Sequence, residues 1–365
     1  MNINYNPSLS VEAMRESIQV IAVGPNRGRD ISRETAQLVM QGVLNNDIDH
    51  IQVAVFLIAM RMKRESMPEF LGIFDAINSV SESTTAAVDD VITLADPFDG
   101  YVRSVPMTPF LPAVLAACGH HVVMHGVESV GPKHGVTAHK VIKAAGGDAL
   151  KPVAEAADIL VDSKWVYVDQ SQYSPKLFAL KLLRDTIVKR TALTTLERLL
   201  IPIKGRCASH LVLGYVHKAY PEIYATVAQA AGFKSALLLK GVEGGLAPAL
   251  NKPLRRFFVE NDDAPKAFNS EKELLETQAL FDSNMAAQVS HEVDQVSECL
   301  SVGLAVLSGA KRSSVVMARD SLCLAAGQIL NAYDARLSLP QAVEKIQTCL
   351  DNGTARNQFN AFVDR

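Results

Sequence analysis

"VVMHGVESVGPKHGVTAHK", residues 122–140, runs from a β-branched stretch through a glycine-punctuated loop into a helical pattern that begins near Thr137. Gly126, Gly131 and Gly135 let backbone amides turn toward an anion ahead of that helix, so strand, loop and helix in this order form a phosphate-cradling device of weak specificity by itself. The stretch also holds His125, His134 and His139, with His120 and His121 just before it. A helical metal site of the H-E-x-x-H kind has no match here, and His134 and His139, five apart, do not share a helix face. The imidazoles read as hydrogen-bonded scaffolding, and no metal or cofactor is expected.

The strand-to-helix rhythm continues outward. "WVYVDQ", "HLVLGYV" and "SALLLKGVEGG" are short, β-rich and bounded by glycine or polar residues. Helical patterns lie near 108–118, 137–146, 175–190 and 221–232, and longer ones near 296–309, 314–334 and 339–350 close the chain. This alternation predicts a mainly parallel central sheet whose strand-end loops form the working surface. Ahead of it, "SVEAMRESIQVIAVG", "ISRETAQLVMQGVLNN", "DHIQVAVFLIAMRMK" and "SMPEFLGIFDAINSV" predict four helices, the last with Ser66 and Glu69 in capping-box relation. The fold class is α/β, a small all-helical domain over 1–80 followed, after the polar "SVSESTTAAVDD", by a large α/β domain over 81–365. "FVENDDAPKAFNSEKELLETQ" reads as a polar, exposed excursion.

Bulk properties exclude other classes. With 365 residues, 48% hydrophobic and 21% charged, the chain can bury a large core. Charges or proline interrupt every apolar run before membrane-span length, and no secretory signal is visible. Five widely spaced cysteines without a C-x-x-C pair read as reduced, packed thiols. A cytoplasmic protein that avoids membranes is expected.

The net charge of −3 conceals a polarised chain. Residues 176–256 carry fourteen Lys or Arg against four Asp or Glu, leaving 22 basic and 35 acidic residues elsewhere. Such a segment is either a basic surface aimed at phosphate or a set of ordinary helix faces whose cations cluster.

The order of helical unit, "DG" loop, "HG" loop, "KRT" segment, "KGVEGG" loop and helical C-terminus resembles the anthranilate phosphoribosyltransferase family, within glycosyltransferase family 3. The resemblance runs from the first helix to "DNGTARNQFNAF". It implies a small helical domain that also receives a returning segment near 175–200, and a homodimer joined through those domains. Val53, Phe56, Leu57 and Met60 are apolar beyond the needs of four short helices, which points to the same two-fold contact.

The chemistry implied by the resemblance is degraded. Where the family carries "GTGGDG" for a diphosphate, this chain has "ADPFDG", residues 95–100, which keeps only Asp99 and Gly100. "NIST" becomes "VPMT", keeping Thr108, and "KHGN" becomes Met124-His125-Gly126-Val127. Asp99, Gly100, Thr108, His125 and Gly126 are thus the remnants of a phosphate site. Leu246 and Ala247 stand where the family's "HGxxGLDE" supplies two carboxylates to Mg²⁺.

Basic residues take their place: Arg190 is kept, Arg198 replaces a proline, Lys240 replaces a histidine, and Lys204 and Arg206 follow. This exchange resembles the YbiB-type branch of the family, which implies sequence-independent nucleic-acid binding without catalysis. The expected groove comprises Lys181, Arg184, Arg190, Arg198, Lys204, Arg206, Lys240, Lys252, Arg255 and Arg256, with Phe257, Tyr173, Tyr215 and Tyr220 as stacking candidates for a single strand of DNA or RNA, and Phe258 more at home in the core. The alternatives are a phosphoribosyl or glycosyl transferase with an altered phosphate site, and a sensor of a small phosphorylated ligand.

Overall fold

A computed structural model describes residues 6–24, 26–260, 266–268, 295–334 and 336–365. Four helices open the chain: α1 (Pro7–Ile21), α2 (Arg33–Leu44), α3 (His50–Lys63) and α4 (Met67–Ser79). The side chains of Asn6, Ser32 and Asp49 accept the amides of Ser8, Thr35 and Ile51, so each of the first three starts where a capping residue satisfies an orphan N–H. At α4 the Glu69 carboxylate accepts the Ser66 amide at 2.7 Å and also takes the Ile31 amide at 2.9 Å and Lys63 Nζ at 2.8 Å.

The strands are β1 (Thr84–Thr85), β2 (Asp90–Ala95), β3 (Val122–Gly126), β4 (Trp165–Asp169), β5 (Ile203–Lys204), β6 (Ala208–Tyr215), β7 (Ser235–Lys240), β8 (Arg256–Glu260) and β9 (Lys266–Phe268). Seven form one sheet in the order β4-β3-β2-β6-β7-β8-β9, parallel as far as β7 and antiparallel over the last two. The remaining two, β1 and β5, pair in parallel apart from it. Between strands lie α5 (Leu111–Ala117), α6 (Ala138–Ala144), α7 (Val153–Ser163), the short α8 (Gln170–Tyr173), α9 (Pro175–Phe178), α10 (Lys181–Ile187) and α11 (Ala192–Leu196), and α12 (Tyr220–Ala231). The described chain closes with α13 (Gln295–Leu307), α14 (Val316–Tyr333), α15 (Leu339–Asp351) and α16 (Thr354–Val363).

This is a helical N-terminal domain on a large α/β domain with a mainly parallel sheet. The segment of α10 and α11 packs back on α3, and α11 also meets α4. The middle strand β2 is hidden in sequence, because its six residues begin at Asp90 inside a polar stretch; Val91–Ala95 are wholly buried. The supposed excursion begins as β8, and Lys266–Phe268 within it form β9; its other residues from Asn261 onward lie outside the described residues. Val53, Phe56, Leu57 and Met60 are at most 1% exposed within the chain's own core, so they are not a spare face. Exposed instead on α3 are Ile51, Val55 and Met62, which fall on one stripe at helical spacing.

Candidate anion-binding cleft

The carboxyl ends of β2, β6 and β7 face the helical domain, and a cleft of about 780 Å³ opens between them. Open parallel sheets place ligands here because the strand-end loops diverge. Arg61, Arg64 and Phe70 line the helical side, Arg190 to Arg198 the returning segment, and Pro97 to Asp99, Gly214 to Tyr224 and Glu243 the sheet side.

The loop that follows β2 is latched shut. Asp96 Oδ1 accepts the Tyr101 hydroxyl at 2.6 Å and the Leu246 amide at 3.2 Å, while Oδ2 accepts the Thr108 hydroxyl. Burial raises the Asp96 carboxyl above its ordinary value, against the hydrogen bonds from Thr108 and Tyr101 that pull it down. Gly245 lets the Tyr101 ring in, since a Cβ there would sit 1.6 Å from its hydroxyl. Phe98 is buried edge-on against His125, with ring centroids 5.4 Å apart. Asp99 accepts Arg190 Nε at 3.0 Å, and Lys133 Nζ lies 3.4 Å from its carboxylate.

The glycines expected to aim amides of the "HG" loop at an anion turn them to internal acceptors at Gly131 and Gly135. Three amides of the loop's second half are already engaged: Gly131 with the Asp185 carboxylate at 2.6 Å, Gly135 with Asp99 O at 2.9 Å and Val136 with Tyr101 O at 2.8 Å. Gly135 is small because two backbones meet, and a Cβ would lie 2.3 Å from Tyr101 O. His125 Nδ1 and the Tyr173 hydroxyl are 2.8 Å apart, and burial lowers this imidazole to about 3, with the Arg198 charge adding to the effect. His139 Nδ1 meets Asp169 at 2.8 Å, and His134 Nδ1 meets Ser129 at 3.0 Å, so these two are scaffolding as expected.

The residues at the family's metal position do not fit a magnesium ion. Leu246 and Ala247 are buried and offer no carboxylate, and among the described residues no group of three His, Cys, Asp or Glu could hold a metal. Glu243 is committed elsewhere: it accepts the Arg103 amide at 2.9 Å and Lys133 Nζ at 3.1 Å.

The ten expected groove residues do not share one surface. Arg184 is buried in a two-pronged ion pair with Glu197, both contacts at 2.6 Å. Arg198 is buried, and its Nη2 donates to the carbonyls of Ala95 (2.8 Å), Gly214 (3.1 Å) and Gly244 (3.1 Å), stitching three loop ends beneath the cleft. Arg256 is buried against Gln328 O at 3.1 Å and Asn331 Oδ1 at 2.6 Å. A guanidinium that satisfies internal acceptors cannot also reach a polymer backbone. Lys181 pairs with Asp185 at 2.8 Å, and Lys240 donates to Val216 O at 2.7 Å with its ammonium 5.8 Å from the Tyr215 ring centre. Lys204 and Arg206 are exposed, but at the amino ends of the strands; β6 spans eight residues, so roughly 25 Å separates them from the cleft end. Lys252 and Arg255 are exposed beside β8. Of the ten, Arg190 and Arg198 line the cleft. Tyr173 and Tyr215 are buried, Phe257 packs on Tyr215 and Phe258 on Tyr333, which leaves Tyr220 as the half-exposed ring on the cleft wall.

Sequence reasoning passes over Arg61 and Arg64. Both are exposed, both line the cleft, and Arg61 Nη1 donates to Arg190 O, which ties the two sides of the helical wall together. Their signal is the basic "RMKR" at the end of α3, which local pattern cannot tell from an ordinary helix end.

Two family models match this arrangement. The helical bundle domain of the glycosyl transferase family matches residues 26–80, and its a/b domain matches residues 102–356. The chain belongs to this glycosyl transferase family. An uncharacterised protein of Aquifex aeolicus is 28% identical over 225 residues, 62% of this chain and 67% of that one. The uncharacterised protein YbiB of Escherichia coli is 27% identical over 236 residues, 63% of this chain and 71% of that one. An anthranilate phosphoribosyltransferase of Pseudomonas fluorescens is 25% identical over 334 residues, about nine-tenths of both chains (90% and 91%). Among solved structures, the anthranilate phosphoribosyltransferase of Saccharomyces cerevisiae in complex with PRPP and Mg has a TM-score of 0.75 at 14% identity, covering 96% of this chain and 97% of that one. That of Thermus thermophilus has a TM-score of 0.69 at 18% identity, covering 96% and 98%. The shared fold extends over the whole scaffold, and no described helix is long and apolar enough to cross a membrane.

Proposed function

We propose that the interdomain cleft binds a phosphorylated ligand carrying a planar ring, a nucleotide unit, by direct arginine contact, and that metal-assisted transfer has been lost. The observation that carries this reading is the pairing of a family cleft with arginine walls. Arg61, Arg64 and Arg190 surround a space whose glycine loop is latched by Asp96 and whose metal position is Leu246-Ala247. A cleft of this volume suits a small ligand. Guanidinium groups grip phosphate oxygens in pairs, and Tyr220 offers a ring on which a base can stack. A single strand of DNA or RNA presents the same unit in series, which is the non-enzymatic nucleic-acid binding expected from the sequence. Titration of the protein with a mononucleotide, a single-stranded 20-mer and a duplex at two salt concentrations separates these sources. Failure of all three to bind refutes the reading.

A second reading is supported by the near full-length similarity to an anthranilate phosphoribosyltransferase: retained transfer with an altered phosphate mode. Turnover of phosphoribosyl pyrophosphate and anthranilate by the unmodified protein in magnesium would establish it in place of the first. The proposed assembly is a homodimer through Ile51 and Val55 of α3, and the proposed location is the cytoplasm.

A further inference from the structure

Far from the cleft, two sulfurs meet. Cys118 ends α5 as its cap residue, Cys349 lies in the last turn of α15, and their Sγ atoms are 3.8 Å apart. The chain places them 231 residues apart, so the contact is purely tertiary. A disulfide needs an S–S distance of about 2.05 Å, so the sulfurs must close by roughly 1.8 Å, within reach of side-chain rotation if the two helix ends yield slightly. Of the other cysteines, Cys207 is exposed, while Cys299 and Cys323 are buried. Cys118 is half-buried, and solvent can therefore approach the pair.

We propose that Cys118 and Cys349 form a reversible, oxidant-triggered disulfide that staples α5 to α15. The resting pair is a dithiol, in keeping with a reducing compartment, where such bonds are transient and redox-responsive. The co-reactant is a hydroperoxide. The Cys349 thiolate attacks the terminal peroxide oxygen, the O–O bond breaks, and an alkoxide leaves to take up a proton as the alcohol. The Cys349 sulfenic acid is then attacked by the Cys118 sulfur, the S–S bond forms and water departs. Two thiols are oxidised and one peroxide is reduced to an alcohol and water. Cys349 is suited to the first step: its contact with the Cys118 sulfur favours the thiolate against the opposing effect of burial, and Lys345 one turn earlier adds a favourable charge.

The staple reaches toward the cleft through α5, whose chain enters by way of Thr108, a partner of the Asp96 latch. To test it, the folded full-length protein is treated with one equivalent of hydrogen peroxide, quenched in denaturant with N-ethylmaleimide, and mapped by non-reducing peptide mass spectrometry. The expected product is a 118–349 cross-linked peptide pair that disappears on adding dithiothreitol. The oxidised protein should melt a few degrees higher, by about 3 °C or more, with no such gain in Cys118→Ala. Oxidation confined to Cys207, over-oxidation of Cys349 without a cross-link, or full alkylation of both thiols would overturn the proposal. The mapping uses the unmodified protein, so it does not depend on whether a variant folds.

Discussion

The Asp96 carboxylate accepts the Leu246 amide at 3.2 Å across 150 residues of chain, joining the loop after β2 to the loop after β7. One buried carboxylate thus holds both strand-end loops in a closed arrangement. Asp96→Ala leaves the Tyr101 hydroxyl, the Thr108 hydroxyl and the Leu246 amide without their acceptor. The expected cost is about 3 kcal/mol, from roughly 1–3 kcal/mol for each unsatisfied group less what entering water recovers. Urea unfolding measures it, and an unchanged midpoint would remove the latch from the account.

Arg184 and Glu197 form a buried, two-pronged ion pair. Removing one partner strands the other charge, so Arg184→Ala should destabilise the protein by about 3–5 kcal/mol. Nucleotide affinity of the folded fraction should stay the same. A loss of binding with full stability would instead return Arg184 to the ligand surface.

Binding at the cleft predicts a sharp contrast between two double variants. Arg61→Ala with Arg64→Ala should weaken nucleotide or single-strand binding and flatten its log–log salt slope by about two units at most. Lys204→Ala with Arg206→Ala, at the far end of the sheet, should leave both unchanged. The reverse pattern would move the binding surface to the amino ends of the strands.

His125 stays neutral in the folded chain because burial lowers it to about 3. The unfolded imidazole titrates near its ordinary value of 6.5, so below that pH the unfolded state takes up a proton that the native state refuses. Stability should fall from pH 6.5 toward pH 5 by about 2 kcal/mol on this account. His125→Phe should lose that share of the slope, read from Tm against pH. Parallel slopes for the two proteins would refute it.

A dimer through α3 requires its exposed stripe. The wild-type chain should sediment as a dimer at micromolar concentration, and Ile51→Asp with Val55→Asp should sediment as a folded monomer. A monomeric wild type would discard this interface.

Much of the fold is legible in local pattern. Capping residues and apolar periodicity mark α1 to α4, and β-rich runs between glycines mark β3, β4, β6 and β7, because these signals act within a few residues. β2 is not legible: a central strand buried on both faces shows no alternation, and Asp89 and Asp90 make its start look like linker. β8 is hidden in the same way by its charged ends, Arg256 and Glu260.

The sequence alone determined which groups these loops can offer, since Pro97, Phe98, Leu246 and Ala247 carry neither the bare backbone of glycine nor a carboxylate wherever they sit. Only the tertiary structure decided which charges remain free to act. Arg184, Arg198 and Arg256 count as basic residues in composition, yet each is consumed by acceptors brought from 13 to 103 positions away. Arg61 and Arg64 reach the cleft because α3 packs beneath the returning segment. Charge is a property of a residue, whereas its availability depends on partners that folding brings from distant parts of the chain.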